Sequence, residues 1–304
     1  IFPSVNHSIY EHAIGTMHLA NKFIKSLKER ELVDVNQTLI NTVSLCGLFS
    51  NLGKAPFHNS FTSFYKEKYG IEYDMKNKSY ELIEKIIKAK GIDPKDISNE
   101  TDEELFNLDI LKKIFTTRNN KLKYYETIVN NPRNLIDCDN FDNLARDIYK
   151  YGFKPIYDHN ILINHASIND DEISYKEEDA FSIMEYYNAR YTMYTKFYSH
   201  RLSTSVELMI KDVYKLLSNN IDFKEIINDN DRYLRFYDSF LRKIQVDNKE
   251  KYKDAIKILD DIEKRNLYTF IGEYYSSTKG SNTDIFDKFD VDYFLSFNQK
   301  NNKG

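Results

Sequence analysis

Tryptophan is absent from this chain of 304 residues, and cysteine, proline and glycine are scarce, with 2, 5 and 9 residues respectively. Two cysteines, Cys46 and Cys138, cannot build a disulfide framework, so the sequence excludes a disulfide-stapled secreted scaffold. We therefore expect an intracellular, reducing compartment. The scarcity of glycine and proline argues against a turn-rich β fold and favours long helices.

Long apolar runs and a surplus of positive charge are also absent. No segment approaches the ~20 apolar residues of a membrane-spanning helix, and no signal-peptide pattern follows Ile1. The net charge of −4 predicts no electrostatic attraction to nucleic acid or to an anionic membrane, so we expect neither as a partner. The chain begins inside a motif and without Met, which leads us to expect further residues upstream of Ile1.

Apolar residues instead recur at helical spacing in several segments. Residues 8–30 predict a first helix, and Asn36 is placed to cap a second helix. Residues 79–90 predict a third helix that ends at Gly91. With 41% hydrophobic residues, the chain has enough apolar side chains for a core.

The rest of the chain continues the helical pattern with one interruption. Segments 134–151, 177–218 and 249–265 are helical in pattern, and 93–120 predicts short helices and loops. Residues 159–175 alternate like strands around an Asn-Asp turn and predict a small hairpin. The sequence therefore predicts one mainly α domain over residues 1–304, with a small antiparallel β-hairpin insertion. On the 177–218 helix we expect one core-packing stripe: Tyr187, Tyr191, Tyr194 and Tyr198.

Imidazole and carboxylate groups occur in separate segments that could meet in space. His12 lies on the first helix, the stretch "SNLGKAPF" follows the second, and "IDCDNFDNLARD" supplies four aspartates. Such groups hold divalent ions, which polarise phosphate oxygens or activate water. The four aspartates are Asp137, Asp139, Asp142 and Asp147.

Three stretches carry a family resemblance: "FPSVNHSIYEHAIG" at Phe2–Gly15, "SNLGKAPFHN" at 50–59 and "RNLIDCDNFDNLARD" at 133–147. In these motifs and in their order, the chain resembles the SAM-and-HD-domain deoxynucleoside triphosphate (dNTP) triphosphohydrolases of the HD superfamily. The resemblance implies an all-α HD-type domain. In that family a His, a His-Asp doublet and a late Asp bind a divalent metal.

The resemblance places the first metal histidine on His12 and the last metal aspartate on Asp139. The doublet falls on Ser50 and Asn51, whose neutral oxygens are poor ligands for a divalent ion. The family's catalytic histidines and a nearby acid fall on Lys54, Asn59 and Thr62.

The residue types that contact nucleotide in the family match this sequence better than the metal-binding and catalytic residue types do. The resemblance assigns sugar and phosphate contacts to Asp147, Arg190 and Tyr198, and a neighbouring regulatory site to His200 and Arg265. Structural alternatives stay open. His12 fits a buried, hydrogen-bonded polar residue, Asp147 a helix partner or cap, and Arg190 a cation–π or salt-bridge residue.

These departures predict a catalytically inactive homologue of the dNTP triphosphohydrolases. We expect no cofactor, and we expect a protein partner or a second copy of the chain, with a deoxynucleotide as the candidate ligand of a remnant pocket. One alternative is an active, metal-dependent phosphohydrolase that uses the shifted set His12, His58 and Asp139. The other is a nucleic-acid-binding module, which the acidic balance disfavours.

Overall fold

The structure is a computed structural model, described over residues 4–96, 103–117, 122–154, 157–247 and 250–271. Over these ranges the chain forms fourteen α-helices and a single two-stranded sheet. The predicted mainly α class with a small antiparallel hairpin is confirmed.

The helices are, in chain order, α1 (Ile9–Glu29), α2 (Gln37–Phe49), α3 (His58–Tyr69), α4 (Met75–Lys90), α5 (Leu108–Thr116), α6 (Tyr124–Thr127), α7 (Cys138–Lys150), α8 (His159–His165), α9 (Ala180–Met193), α10 (Arg201–Leu217), α11 (Phe223–Asn228), α12 (Asn230–Tyr233), α13 (Ser239–Asp247) and α14 (Lys253–Glu263). Strands β1 (Ser167–Asn169) and β2 (Glu172–Ser174) form the hairpin, with Ile168 opposite Ile173. A 3₁₀ turn, Glu177–Asp179, precedes α9, and a π-helical turn, Tyr194–Tyr198, follows it.

Local hydrogen bonds explain where several helices begin and end. Ser8 and Glu11 form a reciprocal capping box at the start of α1, and Asn36 caps α2 as predicted. Gly91 ends α4 in the left-handed conformation, also as predicted (φ 63°). These boundaries depend on residues within one turn of the helix end, so the sequence shows them directly.

Other boundaries differ from the sequence prediction. Helix α3 was not predicted, and α4 begins at Met75 rather than 79 because Asp74 caps it. The hairpin is confined to residues 167–174, since 159–165 form α8 instead. Within 93–120 the described part contains α5, and residues 97–102 and 118–121 lie outside the described ranges.

The core has two apolar clusters. The first surrounds α1, which packs against α2, α7 and α8 through fully buried Phe23, Ile24 and Leu27. The second is aromatic, and in it Phe61 meets Tyr214 edge-on with ring centroids 5.2 Å apart. Because α1 contacts both α2 and α7, side chains from segments far apart in sequence meet along one side of it.

The predicted core-packing tyrosine stripe was wrong for three of its four members. Tyr187, Tyr191 and Tyr194 are 39%, 70% and 49% exposed, whereas Tyr198 is partly buried against the first cluster. The buried face of α9 instead carries Tyr186, Ala189 and Met193. Because aromatic residues occupy both faces of this helix, spacing alone could not show which face is buried.

No helix in the described ranges is long and apolar enough to cross a membrane.

Candidate functional site

A polar cluster forms where α1, the end of α2 and the start of α7 meet. A tight turn follows α2, in which Gly53 lies so close to α4 that a Cβ there would be 2.3 Å from the Met75 carbonyl oxygen. The Ser79 hydroxyl accepts a 2.8 Å hydrogen bond from the Gly53 N–H, which fixes this turn. We call the grouped side chains the His12 cluster: His12, Ser50, Asn51, Asp139 and Asp142.

His12 lies at the centre of this cluster and is only 4% exposed. Its Nδ1 is 2.7 Å from Asp142 Oδ2, and its Nε2 is 3.2 Å from Asp139 Oδ1. Burial alone would lower the pKa of His12, but hydrogen bonds and charge from the two carboxylates raise that pKa to about 9. The imidazole therefore links two carboxylates as an ionic and hydrogen-bonded bridge.

Asn51 presents its amide nitrogen to the same carboxylate. The Asn51 Nδ2 donates to Asp139 Oδ1 over 2.6 Å and lies 3.1 Å from His12 Nε2. Ser50 Oγ lies 3.0 Å from the Gly47 carbonyl oxygen and 3.2 Å from Asp139 Oδ1. Asn51 is only 2% exposed, so its amide is fixed by these partners rather than by water.

Arg146 completes the charge balance. It forms a bidentate pair with Asp142, with N–O distances of 3.0 and 2.8 Å, and also donates to the Glu11 carbonyl oxygen. Burial would raise the pKa values of Asp139 and Asp142, but hydrogen bonds from His12 hold both below their ordinary range. Two carboxylates thus face one imidazole and one guanidinium.

The donor set does not fit a divalent ion. At the four positions that the resemblance assigns to the metal, only His12 and Asp139 carry strong donors, and the Asn51 amide directs an N–H at Asp139 Oδ1. Throughout the described ranges, no group of three or more His, Cys, Asp or Glu side chains is arranged to hold a metal.

Two of the positions that the resemblance assigns to catalytic residues, Lys54 and Asn59, line a cavity of about 310 Å³ together with His58 and Glu207. Asn59 Nδ2 is 3.3 Å from Glu207 Oε1, and Thr62 donates its hydroxyl proton to the Asn59 carbonyl oxygen. His58 Nδ1 is buried without a hydrogen-bond partner in the described structure. Burial, with a smaller contribution from the Lys54 charge, lowers the pKa of His58 to about 4.

Asp147 and Tyr198 meet in a second, larger cleft of about 560 Å³. The Tyr198 hydroxyl donates to Asp147, and His7 Nε2 lies 3.6 Å from the other carboxylate oxygen. Burial raises the pKa of Asp147. The lining consists of Asn59, Asn143, Asp147, Tyr151, Tyr194, Phe197, Tyr198, Ser199, Ser203 and Glu207.

The remaining nucleotide candidates do not line this cleft. Arg190 donates to Asn140 Oδ1 over 2.5 Å, and its guanidinium lies 5.6 Å from the ring centre of Tyr194, which does line the cleft. His200 caps α10 by accepting from the Leu202 N–H, and Arg265 is exposed just after α14. The structure therefore brings Asp147 and Tyr198 together, places Arg190 against Tyr194 of the cleft lining, and leaves His200 and Arg265 outside that lining.

Sequence reasoning missed several contacts of the site. Asp142 was one of four candidate aspartates, but its pairing with His12 and Arg146 was not predicted, although its spacing from Asp139 puts both on one side of α7. His7 and Glu207 were not selected either. Nothing in the local sequence around Glu207 indicates that it faces Asn59.

Comparison with known proteins finds relatives that align with most of the chain. The chain is 29% identical over 283 residues to a protein of Dictyostelium discoideum described as a deoxynucleoside triphosphate triphosphohydrolase SAMHD1 homolog. That alignment covers 91% of this chain and 53% of the relative. A protein of Acanthamoeba polyphaga mimivirus, named for its HD domain, is 29% identical over 92% of this chain and 66% of its own length.

Human deoxynucleoside triphosphate triphosphohydrolase SAMHD1 is 25% identical over 90% of this chain and 49% of the relative. The chain thus spans from about half to about two thirds of the length of these relatives. No family model matches the chain. Over about nine tenths of its length the chain is thus similar to proteins named as deoxynucleoside triphosphate triphosphohydrolases and to a protein named for its HD domain, which supports the resemblance carried by its motifs.

Proposed function

We propose that this chain is a catalytically inactive homologue of the dNTP triphosphohydrolases that acts as a structural or protein-interaction subunit. The observation that carries the proposal is the 2.6 Å hydrogen bond from Asn51 to Asp139. It places an amide N–H, which repels a cation, where the resemblance puts a carboxylate metal ligand. The hydrogen-bonding groups of the His12 cluster are thereby satisfied by side chains of the cluster itself.

We further propose that the protein needs no divalent ion. An ion bound by His12 and Asp139 would have to displace the Asn51 amide and would gain only neutral oxygens from Ser50 and Asn51. Divalent ions select carboxylate and imidazole donors, so this exchange is unfavourable. The cluster's charges are already paired through His12 and Arg146.

Proton transfer is removed along with the metal. Lys54, Asn59 and Thr62 occupy the family's catalytic positions, and neither Asn nor Thr can transfer a proton near neutral pH. General acid–base catalysis contributes ~100-fold or more to a rate. Losing it together with two metal ligands leaves no route to efficient hydrolysis of a dNTP at this site.

A remnant nucleotide pocket is compatible with this inactive state. Asp147 and Tyr198 lie side by side in the larger cleft, and Arg190 is next to its wall. A deoxynucleotide is therefore the candidate small ligand. A reducing compartment suits the chain, since Cys46 and Cys138 are buried free thiols whose pKa values burial raises.

The decisive experiment measures metal content and dNTP hydrolysis on the same purified preparation. We expect substoichiometric manganese, iron and magnesium, and no release of triphosphate or phosphate from dNTPs with added Mn²⁺. Bound metal at one ion per chain together with triphosphate release would overturn the proposal. The matched control is Asn51→Ala, which removes the amide donor without adding a metal ligand.

One observation favours the second candidate, a phosphohydrolase that uses His12, His58 and Asp139. His58 is the side chain with an unsatisfied buried nitrogen beside Lys54. The cavity that His58 lines, however, includes neither His12 nor Asp139 among its lining residues. If this candidate holds, any phosphate release from dNTPs will be lost in His58→Gln and retained in Asn59→Ala.

A further inference from the structure

A further cavity lies between the end of α10 and the start of α13. Its volume is about 390 Å³, which is within the usual range of small-molecule sites. Helices α11 and α12 and the loops beside them form its wall, and its lining includes no residue of the His12 cluster. We call this space the α11–α12 pocket. Its lining residues are Asn220, Ile221, Asp222, Glu225, Ile226, Arg232, Arg235, Phe236 and Phe240.

The interior of the α11–α12 pocket is apolar. Phe236 is only 4% exposed, and its ring meets that of Phe240 edge-on with the ring centres 5.0 Å apart. Ile221 and Ile226 are partly buried against the same aromatic cluster. The Phe236 ring also lies 5.8 Å from that of Phe223, which is fully buried, so the core holds the floor of the pocket in place.

Four charged side chains surround this apolar interior, and three of them already have partners. Arg232 Nη1 lies 2.7 Å from Glu225 Oε1, and Arg232 Nε lies 3.5 Å from Asp229 Oδ2. Asp222 caps α11 by accepting a backbone N–H over 2.9 Å. Arg235 is exposed, and among the described residues its guanidinium has no hydrogen-bond or ion-pair partner. The pocket therefore offers one positive charge that the fold does not compensate.

These features specify the chemistry of a ligand. An apolar body would cover the two phenylalanine rings, and a head group with one negative charge would pair with Arg235. A carboxylate matches both the planar fork and the single charge of a guanidinium. A phosphate ester carries nearly two charges at neutral pH, and the second charge would meet the carboxylates of Asp222 and Glu225, which is unfavourable.

We propose that the α11–α12 pocket binds a small amphipathic carboxylic acid, with its hydrocarbon body against Phe236 and Phe240 and its carboxylate paired with Arg235. Fatty acids of medium length and arylalkanoic acids share this chemistry. The proposal concerns a surface apart from the His12 cluster and from the cleft of Asp147 and Tyr198. It is therefore independent of whether the chain hydrolyses or binds a dNTP.

Isothermal titration of the full chain with sodium octanoate and with sodium 4-phenylbutyrate tests the proposal. We expect at least one acid to bind with a dissociation constant of about 1 mM or below. The tighter of the two shows whether the body of the ligand is aliphatic or aromatic. Arg235→Gln should weaken the binding of that acid about tenfold, because a charge-assisted hydrogen bond is lost.

Two controls separate the charge from the apolar contact. The matching alcohol, 1-octanol or 4-phenylbutanol, should bind equally to the wild type and to Arg235→Gln, since it has no charge to lose. Arg242→Gln should bind the acid like the wild type, because Arg242 pairs with Glu263 and does not line the pocket.

A tryptophan reporter locates the bound acid. The chain has no tryptophan, so Phe240→Trp gives the protein a single indole fluorophore at the wall of the pocket. Its emission should change over the same range of acid concentration that calorimetry shows. The emission of Tyr149→Trp, at a position on α7 outside the pocket, should stay constant. Circular dichroism of each variant verifies that the helical fold is retained.

Three results would overturn the proposal. They are the absence of binding by either acid at millimolar concentration, equal binding of the acid by Arg235→Gln and the wild type, and an unchanged emission of Phe240→Trp during saturation. If Phe240→Trp does not fold, the calorimetric comparison of the wild type with Arg235→Gln and Arg242→Gln decides the question.

Discussion

The Asn51 amide nitrogen lies 2.6 Å from the Asp139 carboxylate, and both side chains also contact His12 Nε2. Residues 51 and 139 are the positions at which the related triphosphohydrolases are expected to present two carboxylates to a metal. Here one carboxylate and one amide satisfy each other directly. Hydrogen bonds and ion pairs between protein side chains therefore hold the junction of α1, α2 and α7 together.

Asn51→Asp should make this junction depend on metal. The substitution sets two carboxylates against each other, and we expect a loss of about 1–3 kcal/mol of unfolding free energy in EDTA. Mn²⁺ should recover part of that loss, because His12 and two carboxylates then form a ligand set. Chemical denaturation with and without Mn²⁺ measures both effects.

Asn51→Ala is the control for that experiment. It should also lose stability in EDTA, but Mn²⁺ should not restore it. If Asn51→Asp in EDTA is as stable as the wild type, the amide contributes nothing to the cluster and our interpretation of it is wrong.

Gly15→Ala should destabilise the protein, although alanine is the better helix former by about 1 kcal/mol. A Cβ at this position would lie 1.8 Å from Asp142 Oδ1 and 2.5 Å from Arg146 Nη2. The ion pair would have to move away from His12, and overpacking of this kind costs about 1–3 kcal/mol. Ser63→Ala, on the exposed face of α3, should change stability by less than about 0.5 kcal/mol in the same denaturant titration.

Acid should destabilise the protein partly through His58. The pKa of His58 is about 4 in the folded protein against 6.5 when unfolded, so the unfolded state binds the proton more tightly. The contribution to stability is complete above about pH 6.5 and is lost as the pH falls towards about 4. As the pH is lowered between these values, the unfolding temperature should therefore fall more steeply for the wild type than for His58→Gln. Parallel curves for the two proteins would contradict the assignment.

A dNTP should raise the unfolding temperature, and Arg190→Ala should abolish that shift. Ligand at 100 times its dissociation constant stabilises a protein by about 2.7 kcal/mol, which a thermal melt resolves. Arg242→Ala is the matched control. Arg242 is an exposed arginine that pairs with Glu263, and neither residue lines the cleft. If millimolar dNTP does not change the unfolding temperature of the wild type, the protein has no nucleotide pocket and is a scaffold alone.

Short-range features of the fold could be predicted from sequence. The first helix over residues 8–30, the cap at Asn36 and the end of α4 at Gly91 follow from side chains within or next to each helix. The motifs around His12, residues 50–59 and residues 133–147 carried the family resemblance, which the similar proteins support. By that resemblance they also assigned two metal-ligand positions to Ser50 and Asn51 without any coordinates.

Contacts between distant segments were decided by the tertiary structure. His12 meets Asp142 across 130 positions of sequence, and Asn51 meets Asp139 across 88. These pairings exist because α1 packs against both α2 and α7 through its apolar face. No local sequence pattern specifies that α2 and α7 are its partners. The same packing selects Tyr186 rather than Tyr187 for the interior, since a helix with aromatic residues all round is oriented only by what it packs against.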